Sequence, residues 1–455
     1  MLEAYLKLVR KLLPSPFSIA LLLSIATFVA VLFYTLLSNQ DTSLLQSMSW
    51  WQDALWTPSL MVFAMQMMLM LVLGHALALS PIVDRLIKSL VKYCDTTPKA
   101  AAIVCVSTLV VGLFNWGFGL IFGAIFARKV GEYAQQNKIA LNYPLIGAAG
   151  YTSLMVWHGG FSGSAIIKVA EPGHLAKLIP DLANQLPNAI RLGDTLFSSM
   201  NLFSIAMLIL ILPTTLYFVG KKTSTSFNLD LLSREVKMTQ NHLEPIGAEK
   251  LDKSTVFNKA IGASILAFVI YQLIAGPNAG LSFFNPNNIN LLLFALCLAS
   301  HKSIEAFIHA IEAAIVGAGG ILIQFPLYFG IMGLMKQSGL IEIISQWFSA
   351  ISNQTTYPIF TFLSAGLVNI FVPSGGGQWA IQGPIIIKSS LELGISFEKS
   401  ILALAYGDEL TNMLQPFWAL PLLGITRLSA KDILPYTLIM FAVGFFIFMT
   451  TLLLF

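Results

Sequence analysis

Charge is scarce in this chain. Only 11% of its 455 residues are Asp, Glu, Lys or Arg, against about 25% in soluble domains. That excludes an ordinary soluble enzyme, and the net charge of +4 says nothing of nucleic acid. Cysteine is scarce too. Cys94, Cys105 and Cys297 lack metal-ligand spacing and two lie in apolar runs, so neither disulfides nor zinc are expected. There is no His-Glu-x-x-His, no Gly-x-Ser-x-Gly, and no Gly-Lys-Ser/Thr after "GAGG" at 317–320. Those absences argue against a protease, a hydrolase, a phosphate loop or a bound cofactor. What fills the chain is apolar: 56% of residues, with mean hydropathy +0.76. Many stretches exceed about 18 apolar residues, long enough to cross a bilayer as helices. The expected class is an all-α polytopic membrane protein, with lipid as its solvent.

Apolar segments fall near 17–37, 55–80, 100–126, 143–170, 196–220, 257–276, 281–300, 306–335, 355–394, 400–425 and 433–455. The first follows Lys7, Arg10 and Lys11 and ends without a small-residue cleavage site, so it reads as a retained span. The polar stretch 221–256 reads as a cytoplasmic linker between a first half, 1–220, and a second half, 257–455. The insert 171–195 reads as a small interfacial helix.

Lys and Arg orient the segments, because cytoplasmic loops are enriched in them. Let 100–126 and 355–394 each enter and return on the same side, and let the other nine cross fully. The inside segments then hold twenty Lys and Arg, and the outside segments hold five: Lys177, Arg191, Lys336, Lys388 and Lys399. The N-terminus is inside and the C-terminus outside. Gly112-Leu-x-Asn115 and Gly366-Leu-x-Asn369 recur at an offset of 254 residues, each followed by a glycine-rich turn. With the same order of elements and opposite orientation, the halves read as inverted repeats. Each holds a re-entrant hairpin (about 100–126, about 355–394) and a partly unwound helix (143–170, 400–425). Such repeats mark secondary transporters with a midplane site.

"VPSGGGQWAIQGPI" (372–385) interrupts one of the most apolar regions. Irregular backbone at membrane depth needs protein or a wet cavity beside it. Pro373 is expected to stop one helix, Gly375 to Gly377 to make the turn, and Pro384 to open the next. Helix ends at such a tip suit a carboxylate or a cation. The proposed core holds no Lys or Arg apart from Lys168, so amides, Ser, Asn and Gln must hold an anion. The candidate ligands are Asn115, Gly117, Gly119, Ser162 and Ser164 in the first half. In the second they are Asn369, Ser374, Gly375, Gly376, Gly377, Gln378, Thr411 and Asn412. Asp408, Glu409 and His158 are the candidates for a coupling H+ or Na+, with a Na+ near the hairpin tips as the one metal considered. Trp116, Trp157, Trp379 and Trp418 lie near the four breaks and suit either packing or the wall of a short alkyl site.

"NIFVPSGGGQWAIQGPI" (369–385), "AYGDELTNMLQPFWALPLLGI" (405–425), "GLFNWGFGLIFGAIFARK" (112–129) and "YTSLMVWHGGFSGSA" (151–165) resemble the bacterial short-chain fatty acid transporter family of the ion-transporter superfamily. The likeness covers essentially the whole chain. It implies uptake of small monocarboxylates such as acetoacetate or butyrate across the inner membrane, an elevator-like movement of the hairpins, and the superfamily's homodimer. A Na+/H+ antiporter, or a carrier of another small anion, of the same superfamily is the alternative.

Overall fold

The computed structural model describes residues 2–12, 14–37, 43–81, 90–223, 247–276, 279, 283 and 285–455. Most of the expected linker, 224–246, and the basic stretch 82–89 lie outside the described residues. The described residues are mostly helical, without a strand, and seven helices are long and apolar enough to cross a membrane. This is a multi-pass α-helical membrane protein.

The chain opens with α1 (Leu2–Leu12), α2 (Pro16–Leu37), α3 (Leu44–Leu55) and α4 (Pro58–Ala78). A helical hairpin follows, α5 (Thr97–Phe114) and α6 (Trp116–Gln136), with Asn115 alone between its arms. Asn115 ends the first arm in an extended conformation and caps the second by accepting from the Phe118 N–H, which satisfies one of the amides a helix start leaves open. Next comes α7 (Tyr143–Ala149), a 3₁₀ turn (Thr152–Met155), irregular chain, and α8 (Ser164–Val169). The insert forms α9 (His174–Leu178) and a second 3₁₀ turn, and α10 (Ser199–Lys222) closes this half.

After α11 (Glu249–Asp252), α12 (Thr255–Ala275), α13 (Pro286–Ser300) and α14 (Ile304–Ile315), a 3₁₀ turn at Val316–Ala318 leads into α15 (Gly319–Gln337) and α16 (Leu340–Ala350). The second hairpin is α17 (Tyr357–Phe371) and α18 (Gly375–Leu393). Then α19 (Phe397–Thr411) stops, irregular chain follows, α20 (Leu420–Thr426) resumes, and α21 (Ala430–Leu454) ends the chain. Both halves thus present a hairpin, a broken helix and a long helix in the same order.

Several local expectations are corrected. The second arm of the first hairpin runs to Gln136, ten residues past the expected end at 126. Arg128 and Lys129 therefore do not lie in a polar loop. Both are buried, and Glu132, one turn on, bonds each of them at 2.7 Å. Arg128 also donates to the Ile425 carbonyl at 3.0 Å and meets His75 of α4. At 372–385 the glycines are not the turn. Val372 to Ser374 make it, Ser374 caps α18 by accepting from the Gly377 N–H, and Gly375 to Gly377 form the first helical turn. Pro384 lies inside α18. Among the described residues of the 281–300 segment the helix is α13, 15 residues, about 22 Å of helix against a hydrocarbon core of about 30 Å. The amphipathic α3 and α16 were not foreseen.

Close approaches hold the hairpins to the broken helices. An added Cβ at Gly407 in α19 would run into the Phe362 carbonyl of α17, and one at Gly150, just after α7, into the Gly123 carbonyl of α6. With no side chain between them, the backbones reach a separation that small residues alone permit in membranes. In "GAGG", Gly317 lies against Gly424 of α20, where the long α14–α15 rod breaks.

Candidate functional site

The two hairpin tips and the two helix breaks meet at one cavity of about 150 Å³. The first tip contributes Trp116, and the first break contributes Leu154, Trp157 and Ser164. The second tip contributes Pro373, Ser374, Gly375 and Gly376, and the second break Phe417 and Trp418. Leu60 and Phe63 of α4, with Phe329 and Met332 of α15, complete the wall. A volume of this order has room for a guest of roughly six heavy atoms. The indoles pack edge to face: Trp116 lies 4.9 Å from Trp418 and 6.4 Å from Trp157, centroid to centroid.

The tips differ in what their helix starts leave open. At the first, the Trp116 N–H donates to Ser162 Oγ at 3.0 Å, the Phe118 N–H to Asn115 Oδ1 at 2.9 Å, and the Gly119 N–H to the Asn115 carbonyl. The chain's own groups thus take most of that tip's amides. At the second, Ser374 accepts from Gly377 N–H at 3.2 Å and from Gln378 N–H through its carbonyl at 2.7 Å. The amides of Gly375 and Gly376, first and second in α18, have no intrahelical acceptor, and both residues line the cavity. Ser164 Oγ stands 3.8 Å from where a Gly376 side chain would begin. The indole Nε1 of Trp157, also in the wall, is buried without a partner. Amides and a hydroxyl are donors, and the helix start adds partial positive charge. This half of the cavity suits an anion.

Behind Gly375 lies a buried acidic cluster. A Cβ at Gly375 would stand 2.7 Å from the Trp157 ring, 3.0 Å from His158 Cε1 and 3.2 Å from Asp408 Oδ2. His158 Nδ1 and Asp408 Oδ2 are 2.5 Å apart, both residues buried. The Ala165 N–H donates to His158 Nε2 at 3.1 Å. An N–H donor needs an unprotonated nitrogen there, so the proton of a neutral ring sits on Nδ1 and points at Asp408. Glu409 Oε2 accepts from the His158 N–H at 2.9 Å and the Gly159 N–H at 3.4 Å, tying α19 to the first break. Asp408 Oδ1 has no partner, and neither do Asn369 Oδ1 and Gln415 Oε1. The Asn369 amide donates to the Asp408 carbonyl, Thr411 Oγ1 and Asn412 Oδ1 at 2.7 to 3.0 Å, and Gln415 donates to the Asn369 carbonyl at 3.2 Å. Acceptor oxygens left open beside a carboxylate suit a hard cation or a proton.

Of the residues singled out from sequence, Ser164, Ser374, Gly375 and Gly376 line the cavity. Asp408, Glu409, His158, Asn369, Thr411 and Asn412 form the cluster behind it. Asn115 and Ser162 act one step removed, as caps of the first tip. Gly117 packs on Met70 and Gly119 on Gly112 and Ser153, so both are packing positions. Gly377 faces a neighbouring hollow instead. Gln378 is buried and bonds the Ala365 carbonyl and Gln382, holding the two arms of the second hairpin together. Trp379 does not reach the cavity; its indole donates to His174 Nε2 at 2.9 Å. The wall residues Leu60, Phe63, Phe329 and Met332 carried no signal, since each sits in a uniformly apolar run.

A family model described as short chain fatty acid transporter matches residues 1–455. Two curated relatives carry the provisional name short-chain fatty acid transporter. One, from Escherichia coli (strain K12), is 37% identical over 94% of this chain and 93% of its own length. The other, from Haemophilus influenzae, is 34% identical over 96% of each chain. Among solved structures, the Alcanivorax borkumensis YdaH transporter is similar at 17% identity, with a TM-score of 0.42 and 97% of each chain covered. The Neisseria gonorrhoeae MtrF structure has 12% identity and a TM-score of 0.42, over 99% of this chain and 97% of its own.

Proposed function

The chain belongs to the short chain fatty acid transporter family, and from that premise we propose that it is a secondary carrier taking up small monocarboxylates with a coupling cation across a bacterial inner membrane. The observation that carries this reading is the pair of open amides, Gly375 and Gly376, at a cavity without a charged side chain in its wall. Two amides and Ser164 Oγ give one carboxylate its donors. The aromatic wall takes a short chain such as that of butyrate or acetoacetate. A second carboxylate would be buried without a counter-charge, at a cost of several kcal/mol.

Asp408 is the coupling group. Its Oδ2 is engaged by His158, and its open Oδ1 receives the cation. Proton and Na+ remain the two candidates; the open oxygens of Asn369 and Gln415 favour Na+. A cation there neutralises the cluster just behind the tip that binds the anion, so each favours the other's binding. The halves 1–220 and 257–455 act as inverted repeats joined by 221–256, with the hairpins re-entrant, the N-terminus cytoplasmic and the C-terminus periplasmic. Alternating access is elevator-like, with the hairpins moving in a homodimer.

Uptake of labelled butyrate and acetoacetate into proteoliposomes, with the pH and Na+ gradients imposed separately, tests this. Saturable uptake driven by one gradient is expected. Na+-driven proton movement that needs no acid would replace it with the antiport reading.

A further inference from the structure

A second hollow of about 350 Å³ adjoins the first and shares Leu60, Phe329 and Met332 with it. These three apolar side chains border both spaces. Beyond them lie the end of α15 with Lys336, the face of α18 carrying Gly377, Ala380 and Ile381, and the α3–α4 corner with Asp53. Lys336 and Asp53 are both exposed and are the charged residues of this lining. The inner cavity has no charged residue in its wall.

All three walls belong to stretches that the Lys and Arg distribution assigns to the outer side. α15 ends there, α18 runs outward from its tip, and α3 precedes an inward crossing. We infer that this hollow is the outer vestibule of the carrier, where Lys336 gathers the monocarboxylate before it passes the Leu60–Phe329–Met332 partition. This inference rests on the transport reading above. The inner cavity has no cationic side chain in its wall to draw an anion from solution, and amide dipoles act only at contact range. A lysine at the mouth acts over about a Debye length, some 8–10 Å, and a concave, low-dielectric wall focuses its field. Asp53 opposes it and tempers the capture. Met332 is the movable part of the partition, since an unbranched thioether side chain repacks readily.

The test is uptake of labelled butyrate by reconstituted full-length protein at low and high ionic strength. Lys336→Gln is expected to raise KM about two- to fivefold at low ionic strength with Vmax unchanged. The gap should close in high salt. Lys336→Arg should restore the wild-type KM, and Asp53→Asn should lower it. Ala380→Cys should react with a membrane-impermeant thiol reagent from the periplasmic side, against a background of three buried native cysteines. A wild-type KM for Lys336→Gln at low salt, or labelling of Ala380→Cys only from the cytoplasm, overturns the vestibule while leaving the carrier intact. If the wild-type protein takes up no short-chain acid, the transport reading fails and the vestibule with it.

Discussion

At the scale of single residues, two adjacent glycines do different work. A side chain at Gly376 would meet only Ser164 Oγ within 4 Å, whereas one at Gly375 would press on Trp157, His158 and Asp408. Gly376→Val is therefore expected to abolish uptake by filling the cavity, with the melting temperature of the purified protein unchanged. Gly375→Ala should lower that temperature by a few degrees, because overpacking costs about 1–3 kcal/mol. Asp408→Asn keeps an oxygen to accept the His158 Nδ1–H but removes the charge. Gradient-driven accumulation should fall at least about tenfold, the equivalent of 1.4 kcal/mol, while exchange of acid for acid persists. Paired accumulation and counterflow assays check this, and intact gradient dependence removes Asp408 from coupling. These residues were legible because polar groups in an apolar crossing are expensive and so conspicuous. Gly119 and Gln378 looked alike to them in sequence. Only their neighbours, Gly112 and Ser153 for one and Ala365 and Gln382 for the other, show that they brace hairpins.

At the scale of elements, the hairpins were readable from the placement of Lys and Arg and from the repeated Gly-Leu-x-Asn, and the second tip from the breakers of "VPSGGG". The helices α3 and α16 were not, because short amphipathic pieces carry no span-length signal. The extension of α6 to Gln136 was also hidden. Arg128, Lys129 and Glu132 look like a solvated face until the one carboxylate is seen to bridge two buried cations. The contact between α9 and α18 has a pH dependence. His174 Nε2 accepts the Trp379 N–H, so protonation at Nε2 removes the acceptor. Desolvation, with Lys168 and Lys177 nearby, holds the His174 pKa below its ordinary value, and Glu171 works the other way. With the folded pKa below the unfolded value of about 6.5, the contact is fully present above that pH and is lost as pH falls through the depressed value. The wild-type protein should thus lose its stability advantage over His174→Phe between pH 7.5 and 5. Thermal unfolding of both proteins across that range checks it, and a gap that does not narrow removes the contact.

At the scale of the whole molecule, the site exists only because residues 250 or more positions apart converge. His158 meets Asp408, Trp116 meets Trp418, and Tyr151 donates to the Asn412 carbonyl. The sequence hinted at this through the repeated Gly-Leu-x-Asn, but a repeat gives no distance, and the cavity wall from α4 and α15 lies outside it. If the halves are inverted, the open ends of the hairpins must face opposite sides of the bilayer. Gln136 ends the first hairpin and Glu392 lies at the end of the second, and both are exposed. Gln136→Cys should react with an impermeant maleimide only when the reagent reaches the cytoplasmic face. Glu392→Cys should react in intact cells whose outer membrane has been made permeable. Labelling of both from one face would mean that the hairpins enter from the same side, and the inverted arrangement, with the carrier cycle built on it, would fall.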